Sequence, residues 1–506
     1  MLLSRALTVA RIAVAVRTRW SLDGRVLVMR IAVVGSGFSG LGAAIKLRQA
    51  GFDDLVVFER ASEIGGTWRD NTYPGCACDI RSHLYSFSFH RNPNWTQEFP
   101  SQSEIQAYLL DVVAHYDLRP LIEFKVEITE MSWLDERRVW QLMTSTGELR
   151  EFDVVINATG PLSRPKLPDV PGLDRFGGTM FHSQQWRHDH NLAGERVAVV
   201  GTGASSIQFV PEIVSLVGHV TVFQRTAPWV LPREDGPISE QTRRWFRRLP
   251  ILTRIKRGRI WLRQELLFLA FLGKRKPQKQ ISDGGKLFIR ALVLDPETQV
   301  KVTPNYVPGC KRLLISNDWY PTLNRENVSL VTAGIVGVTE TGVLDADGGH
   351  HEVDTIILGT GFAATEFLAP MKVFGRDGRE LSEQWREGAA TYLGTAVHGF
   401  PNFWMMVGPT TGLGHNSIVL MMEAQLHLIV GALRYQRRLH LRALEVSGSA
   451  QRSAYDRHNS RMGRTVWASG CKSWYLSTDG RNDTLWEGTT LEYWWRTRRF
   501  KRSDFE

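Results

Sequence analysis

The sequence predicts an α/β protein with two Rossmann-like units and a helical insertion, and three observations carry that reading. A β-branched strand, Arg30–Val34, runs into Gly35-Ser36-Gly37-Phe38-Ser39-Gly40, then a helical stretch Leu41–Ala50 and a second strand Leu55–Phe58, ending at Glu59. The pattern occurs again as Arg196–Val200, Gly201-Thr202-Gly203-Ala204-Ser205-Ser206, a helical stretch, and the strand Val220–Phe223, ending near Arg225. Between Pro237 and Gln280 the composition turns to Arg, Trp, Leu and Phe at mixed helical spacing, which reads as a helical insertion within the second unit.

Each glycine turn has a physical task. The first glycine allows the tight turn, the second lets backbone approach a pyrophosphate, and the helix start offers free N–H groups to the anion. In the second copy Ser206 replaces the third glycine, and a small residue there still permits close helix–strand packing. The ends of the second strands differ in charge. Glu59 lies 24 residues after Gly35, and Arg225 lies 24 residues after Gly201. An acid there accepts hydrogen bonds from ribose hydroxyls and repels a 2′-phosphate, whereas an arginine pairs with one. The first unit is therefore expected to hold an unphosphorylated adenosine dinucleotide and the second NADP, most simply FAD plus NADPH.

Asp354–Leu358 is a further buried-strand run. It leads into Gly359-Thr360-Gly361, which resembles Ala158-Thr159-Gly160, and two such turns suggest two crossings between domains. The expected division is 29–162 with 365–506 for FAD, 163–234 with 303–364 for NADP, and 235–302 for the basic helical insertion. Residues 1–28 are Arg-rich with one acid, Asp23, and Met29 immediately precedes the first strand. They read as an extension from an early start that need not be native, with a basic surface-binding or targeting helix as the alternative.

With 506 residues, 43% hydrophobic and 23% charged, the chain has an ordinary globular composition of about three domains, which excludes a disordered or fibrous protein. Its four cysteines, Cys76, Cys78, Cys310 and Cys471, include no C-x-x-C pair, which argues against a structural zinc site or a dithiol reductase, and no metal is expected. A reduced, cytoplasmic setting follows as the default. The longest apolar run, Leu266 to Leu272, is far shorter than the roughly 20 residues of a membrane span.

Net charge is +10, yet Arg243–Lys279 alone holds thirteen Lys or Arg against one acid, Glu265. Such confinement is weak support for nucleic acid, and none is expected as a partner. The stretch has two readings: a solvated helical surface, or a weak peripheral membrane contact through Trp245, Phe246, Trp261 and the run LLFLAFL.

Two further stretches make a resemblance specific. Gly65-Gly66-Thr67-Trp68 through Tyr73-Pro74-Gly75 to Asp79 matches [AG]-G-x-W-x-x-x-x-[FY]-P-G-x-x-x-D, and Phe176-x-Gly178-x-x-x-His182-x-x-x-Trp186 matches F-x-G-x-x-x-H-x-x-x-W. Both resemble fingerprints of the Baeyer–Villiger monooxygenases, over about Arg30 to Trp495. Trp186 leans toward that branch, since relatives carry Tyr or Phe there, while Arg187 departs from the family's Pro or Asp.

The resemblance implies site residues. Gly35, Gly37, Phe38, Ser39, Gly40, Glu59, Gly66, Thr67, Trp68, Asp79 and Tyr85 would contact FAD or its edge, with backbone near Val126 reaching the adenine. Ala77, Cys78, Asp79, Gly201, Thr202, Gly203, Ala204, Ser205, Ser206, Gln208, Arg225, Thr226, Lys311 and Arg312 would line the NADP site. His182 and Trp186 mark the domain linker, His182 being read as a hinge histidine without a proton-transfer role. Ile418 opens a helix whose start would face the flavin ring, with a plain Asn or Ser cap on a core helix as the alternative.

The implied reaction uses NADPH and O2 to form a flavin C4a-peroxide that inserts oxygen into a hydrophobic ketone, giving an ester or lactone. Arg312, unable to lose its proton, would stabilise the developing anion, and Asp79 would hold it in place. The alternatives are S- or N-oxygenation by the same machinery and a non-catalytic flavin redox sensor. The C-terminal aromatics Trp467, Trp474, Tyr475, Trp486, Trp494 and Trp495 have two readings, a substrate cavity and packing of a C-terminal cap.

Overall fold

The computed structural model describes residues 28–506 apart from 471, 472, 474 and 478. The stretch 1–27, Cys471 and Trp474 therefore lie outside the described residues. Two five-stranded parallel sheets organise the chain. In the first, Ile31–Val34 is central, with Leu55–Glu59 and Ile122–Phe124 on one side and Val154–Asn157 and Phe403–Met405 on the other. In the second, Arg196–Val200 is central, flanked by His219–Phe223 and Val328–Val331 and by Thr355–Leu358 and Thr179–His182. All four residues of Ile31–Val34 are buried, as the β-branched composition of a strand covered on both faces requires.

The helix after the first turn spans Phe38–Gln49 and begins three residues before the predicted Leu41. Gly37 already stands at its N-cap, so the last residues of the glycine turn are its first turn. The helix after the second turn is short, Ser206–Ile213, with Pro211 inside it. Between the units the two crossings run side by side: Lys166 N–H donates to Gly361 O at 2.9 Å and Ala363 N–H to Arg164 O at 3.1 Å.

The stretch read as an insertion folds as four helices, Glu240–Arg248, Pro250–Phe271, Arg275–Leu292 and Pro296–Val302. Ser239 and Asp295 cap the first and last through their side chains. Near the C-terminus, Ile418–Arg438 is the one described helix long and apolar enough to cross a membrane by length and composition. Its apolar face, including Val419, Met421, Leu426, Ile429 and Leu433, is buried in the core against Phe38–Gln49 and Thr490–Thr497. Cys76 and Cys78 are free and buried. Cys310 is disulfide-bonded, a bond that the reduced setting expected from the sequence does not anticipate.

Candidate active site

The first glycine turn is packed to the limit. Gly35 has φ +104°, and a Cβ on it would stand 2.6 Å from Ala158 O. A Cβ on Gly40 would stand 1.8 Å from Gly35 O, so this position admits glycine alone. Gly37 caps the helix without a side chain, leaving the first N–H groups open to an anion. Gly66 closes alongside, its Cα 3.7 Å from where a Gly37 Cβ would lie. Beneath the turn the buried Glu59 carboxylate accepts from Ser36 N–H at 3.1 Å, Ser36 Oγ at 2.6 Å, Ala61 N–H at 2.9 Å and Arg69 Nη1 at 2.9 Å. Arg69 is a partner the sequence reading missed. Burial opposes its charge, and Asp70 and Glu59 hold the guanidinium above the usual arginine value.

Trp68 Nε1 donates to the Tyr85 hydroxyl at 3.0 Å, and Phe38 meets Tyr85 edge-on at 5.3 Å, so three expected cofactor residues converge. Val126 sits at the end of the same strand pair, but its N–H is spent on Glu59 O at 3.0 Å, which leaves its carbonyl for an adenine.

The second turn has the same geometry, with Gly201 at φ +103° against Gly359 O. The departure at Ser206 has a reason: a Cβ on Gly359 would stand 2.1 Å from Ser206 Oγ, so glycine has moved to the facing strand end. Gly203, Ala204 and Arg225 are exposed along one rim, with Thr226 half-buried beside them. Lys311 lies close enough to Arg225 to feel it. Burial first, and Arg225 second, hold its ammonium below the ordinary lysine value. Two mutually repelling cations beside an open glycine turn suit a phosphate. Gln208 ties the units together: it accepts from the Tyr73 hydroxyl at 3.0 Å and donates to Ala77 O at 3.0 Å.

Arg312 and Asp79 meet at the junction. Nε donates to Oδ2 at 2.7 Å and Nη2 to Oδ1 at 2.8 Å, with side chains 29% and 26% exposed. Asp79 raises the guanidinium well above the usual arginine value against the opposing effect of burial, and Tyr475 adds to it. Tyr475 is buried, and its phenol is pushed up by burial while Arg312 pulls the other way. Arg312 Nη1 also approaches Leu413 O at 3.4 Å, reaching the loop ahead of Ile418.

That loop is built from distant segments. Phe271 of the insertion wedges between two glycines: a Cβ on Gly309 would lie 2.9 Å from its ring and one on Gly414 3.1 Å. Phe268, Phe271, Trp467, Tyr475 and Leu485 form one buried apolar cluster with Leu313 at its edge. Glu265 accepts from Asn416 Nδ2 at 2.7 Å, Thr490 Oγ1 at 2.7 Å and Thr490 N–H at 3.1 Å, with His415 Nε2 at 3.7 Å. Burial opposes its charge, yet His415 and Thr490 hold the carboxyl down to about 2. At the helix start the Ser417 hydroxyl and His415 Nδ1 are buried without a hydrogen bond among the described residues. Orphaned polar atoms at an open helix start fit a polar ring system placed there.

Other expected residues fall elsewhere. His182 ends the strand Thr179–His182 and accepts from Gln184 N–H at 3.1 Å, with burial holding its imidazole below the usual value. Its ring meets Phe362 at the crossing, 5.9 Å between centroids. Trp186 packs on Phe209 at 5.2 Å, and Tyr73 packs on the same ring at 6.0 Å, so the two fingerprints touch one residue. Of the C-terminal aromatics, Trp467, Tyr475 and Trp486 are buried, whereas Trp494 and Trp495 are exposed. Sequence reading missed Phe268, Phe271 and Glu265 as members of the site. The one visible signal was a lone acid among thirteen cations. His398, Glu445 and Glu506 bring possible metal-ligand atoms within 4.8 Å of one another, but Arg376 already pairs with Glu445 at 2.9 Å.

The Flavin-binding monooxygenase-like family matches residues 28–242. A Baeyer-Villiger monooxygenase of Streptomyces coelicolor is 47% identical over 480 residues, covering 94% of this chain and 92% of that protein. Among solved structures, an oxidized steroid monooxygenase bound to NADP superposes with a TM-score of 0.85 at 30% identity, over 94% of this chain and 99% of that one. OTEMO in complex with FAD and NADP gives 0.84 at 28% identity, over 94% and 99%.

Proposed function

The chain belongs to the Baeyer–Villiger monooxygenase family, and on that premise we propose that Arg312, clamped by Asp79, is the residue on which ketone oxidation turns. The protein is an FAD- and NADPH-dependent monooxygenase that uses O2 to convert a ketone to an ester or lactone. FAD, when bound and reduced by NADPH, supplies the activated oxygen. Everything else is asked of the chain's own side chains. The glycine turn at Gly35–Gly40, with Gly66, Trp68 and Tyr85, holds FAD. The turn at Gly201–Ser206, with Arg225 and Lys311, holds NADPH by its 2′-phosphate.

Arg312 keeps its proton throughout and meets the negative charge that develops on the carbonyl oxygen as oxygen adds to the carbonyl carbon. Asp79 fixes its fork, and Tyr475 fixes the remaining edge. The aromatic cluster of Phe271 and Trp467 supports a hydrophobic ketone as the substrate class. The paired crossings at Lys166 and Ala363 support the domain division 29–162 with 365–506, 163–234 with 303–364, and 235–302. The exposed apolar and cationic side chains of the insertion support a peripheral membrane contact.

The single observation that carries the proposal is the two-bond Arg312–Asp79 clamp, two residues past Ala77, which Gln208 of the second unit holds. The test is Arg312→Ala, loaded with FAD and supplied with NADPH and a cyclic ketone. Ester formation is expected to fall about 10²–10³-fold at unchanged FAD content. Ester formation at the parent rate would overturn it.

A further inference from the structure

The helix Pro250–Phe271 has two apolar faces, and only one is used inside the protein. Ile260, Phe268 and Phe271 are buried. Ile251, Ile255, Leu262 and Leu266 are 53%, 53%, 53% and 59% exposed, and Leu269 is 40% exposed. At about 100° per residue these five fall within roughly 60° of arc, opposite the buried face. Trp245 and Leu249, just before the helix, are also exposed. The C-terminal helix lies along one edge of the stripe, since Glu265 accepts from Leu491 N–H at 3.3 Å, and its Leu491, Trp494 and Trp495 are exposed in turn.

The cations of the insertion divide the same way. Arg243, Arg244 and Arg247 pair with Glu240, Lys256 with Glu98, and Arg263 with Glu234. Arg257 is buried and donates to three backbone carbonyls, those of His83, Leu84 and Ser86. Arg254, Arg259, Lys274, Arg275, Lys276 and Lys279 are exposed and have no acidic partner among the described residues. Arg91 stands beside Arg254 with its charge opposed by burial and by that neighbour. An exposed aliphatic stripe with aromatic ends, bordered by cations without acids, complements an anionic bilayer surface: acyl chains take the stripe and headgroups take the cations.

We infer that the outer face of helix Pro250–Phe271, with the exposed end of helix Thr490–Thr497, is a docking surface for anionic lipid bilayers. This deepens the peripheral contact proposed above but does not rest on the assignment of Arg312. The bilayer would lie about 10 Å, one helix width, from the Phe268–Phe271 wall.

The test is flotation of the full-length, FAD-loaded enzyme with vesicles of phosphatidylcholine alone or with added phosphatidylglycerol, after light scattering has given the oligomeric state. Binding is expected on the phosphatidylglycerol vesicles at low salt, weakened by high salt, and absent on phosphatidylcholine alone. Leu262→Asp with Leu266→Asp, and separately Arg254→Glu with Arg259→Glu, should each lower the bound fraction at least about tenfold. Turnover of a water-soluble ketone should be unchanged in both variants. No flotation at low salt would overturn the inference, as would equal flotation of the variants. A dimer that the Leu262→Asp/Leu266→Asp variant splits would also overturn it, assigning the stripe to a second copy of the chain.

Discussion

Arg312 and Asp79 are 233 residues apart in sequence and meet through two parallel N–H···O bonds of 2.7 and 2.8 Å. A fork matched to a carboxylate fixes both the position and the plane of the guanidinium, which a single contact would not. Asp79→Asn keeps the shape but removes the charge and one acceptor. Ester formation is expected to drop about 10-fold to 10²-fold, with hydrogen peroxide rising for each NADPH consumed. Product chromatography alongside a peroxide assay checks this, and unchanged coupling would show that the clamp is dispensable.

Coenzyme choice should follow the cation pair. Arg225→Ala or Lys311→Ala removes one charge-assisted contact to the 2′-phosphate, worth about 1.5–3 kcal/mol. The KM for NADPH should rise roughly 10- to 100-fold, by that energy, while the KM for NADH stays level. Steady-state kinetics with both coenzymes decides the matter.

Gly40→Ala forces a Cβ to 1.8 Å from Gly35 O, a contact no side-chain motion relieves. The variant should purify without FAD or fail to fold, read from flavin absorbance per protein and from thermal unfolding. Gly203→Ala is the control, because its Cβ would meet only Gly359 O at 3.9 Å.

His83 supplies a pH dependence. Burial first, then Lys256 and Arg257, hold its imidazole down to about 4. The unfolded chain binds this proton near pH 6.5, so the folded state is undiminished above that pH and loses stability as pH falls toward 4. The loss is about 3 kcal/mol for a shift of this size. Urea unfolding across this range should show the slope, and His83→Phe should flatten it, since Nε2 has no hydrogen-bond partner among the described residues.

Glu265→Ala strips an acceptor from Asn416, Thr490 and Leu491 at once. Removing one member of such a buried ionic cluster costs about 3–5 kcal/mol, and thermal unfolding should fall accordingly. In the parent, the carboxyl's contribution is complete above about pH 4.5 and is lost as pH falls through about 2.

Much of the fold was legible because it is local. The two strand–glycine–helix units are read from fewer than about 30 consecutive residues, where turn geometry and helix dipole leave few residue choices. The helix start at Phe38 rather than Leu41 was missed because the glycine turn itself supplies the first helical residues. The basic stretch 243–279 read as a single surface, but the structure sorts it. Arg257 goes inside to bind carbonyls, Glu265 goes inside to bind a helix start, and Leu266 and Leu269 go outside. Periodicity could not sort them, because this helix is apolar on two sides and only neighbours decide which side is inner.

From sequence by itself come the α/β class, the two dinucleotide turns, the opposite charges of Glu59 and Arg225, and both fingerprints. Each depends on backbone conformation or charge within one short segment. Tertiary structure alone decided that Tyr475 stands against Arg312, that Phe271 wedges between Gly309 and Gly414, and that Glu265 joins three segments. Those contacts close loops of some 40 to 225 residues. Their partners are chosen by shape and burial across the assembled core, which no local pattern encodes.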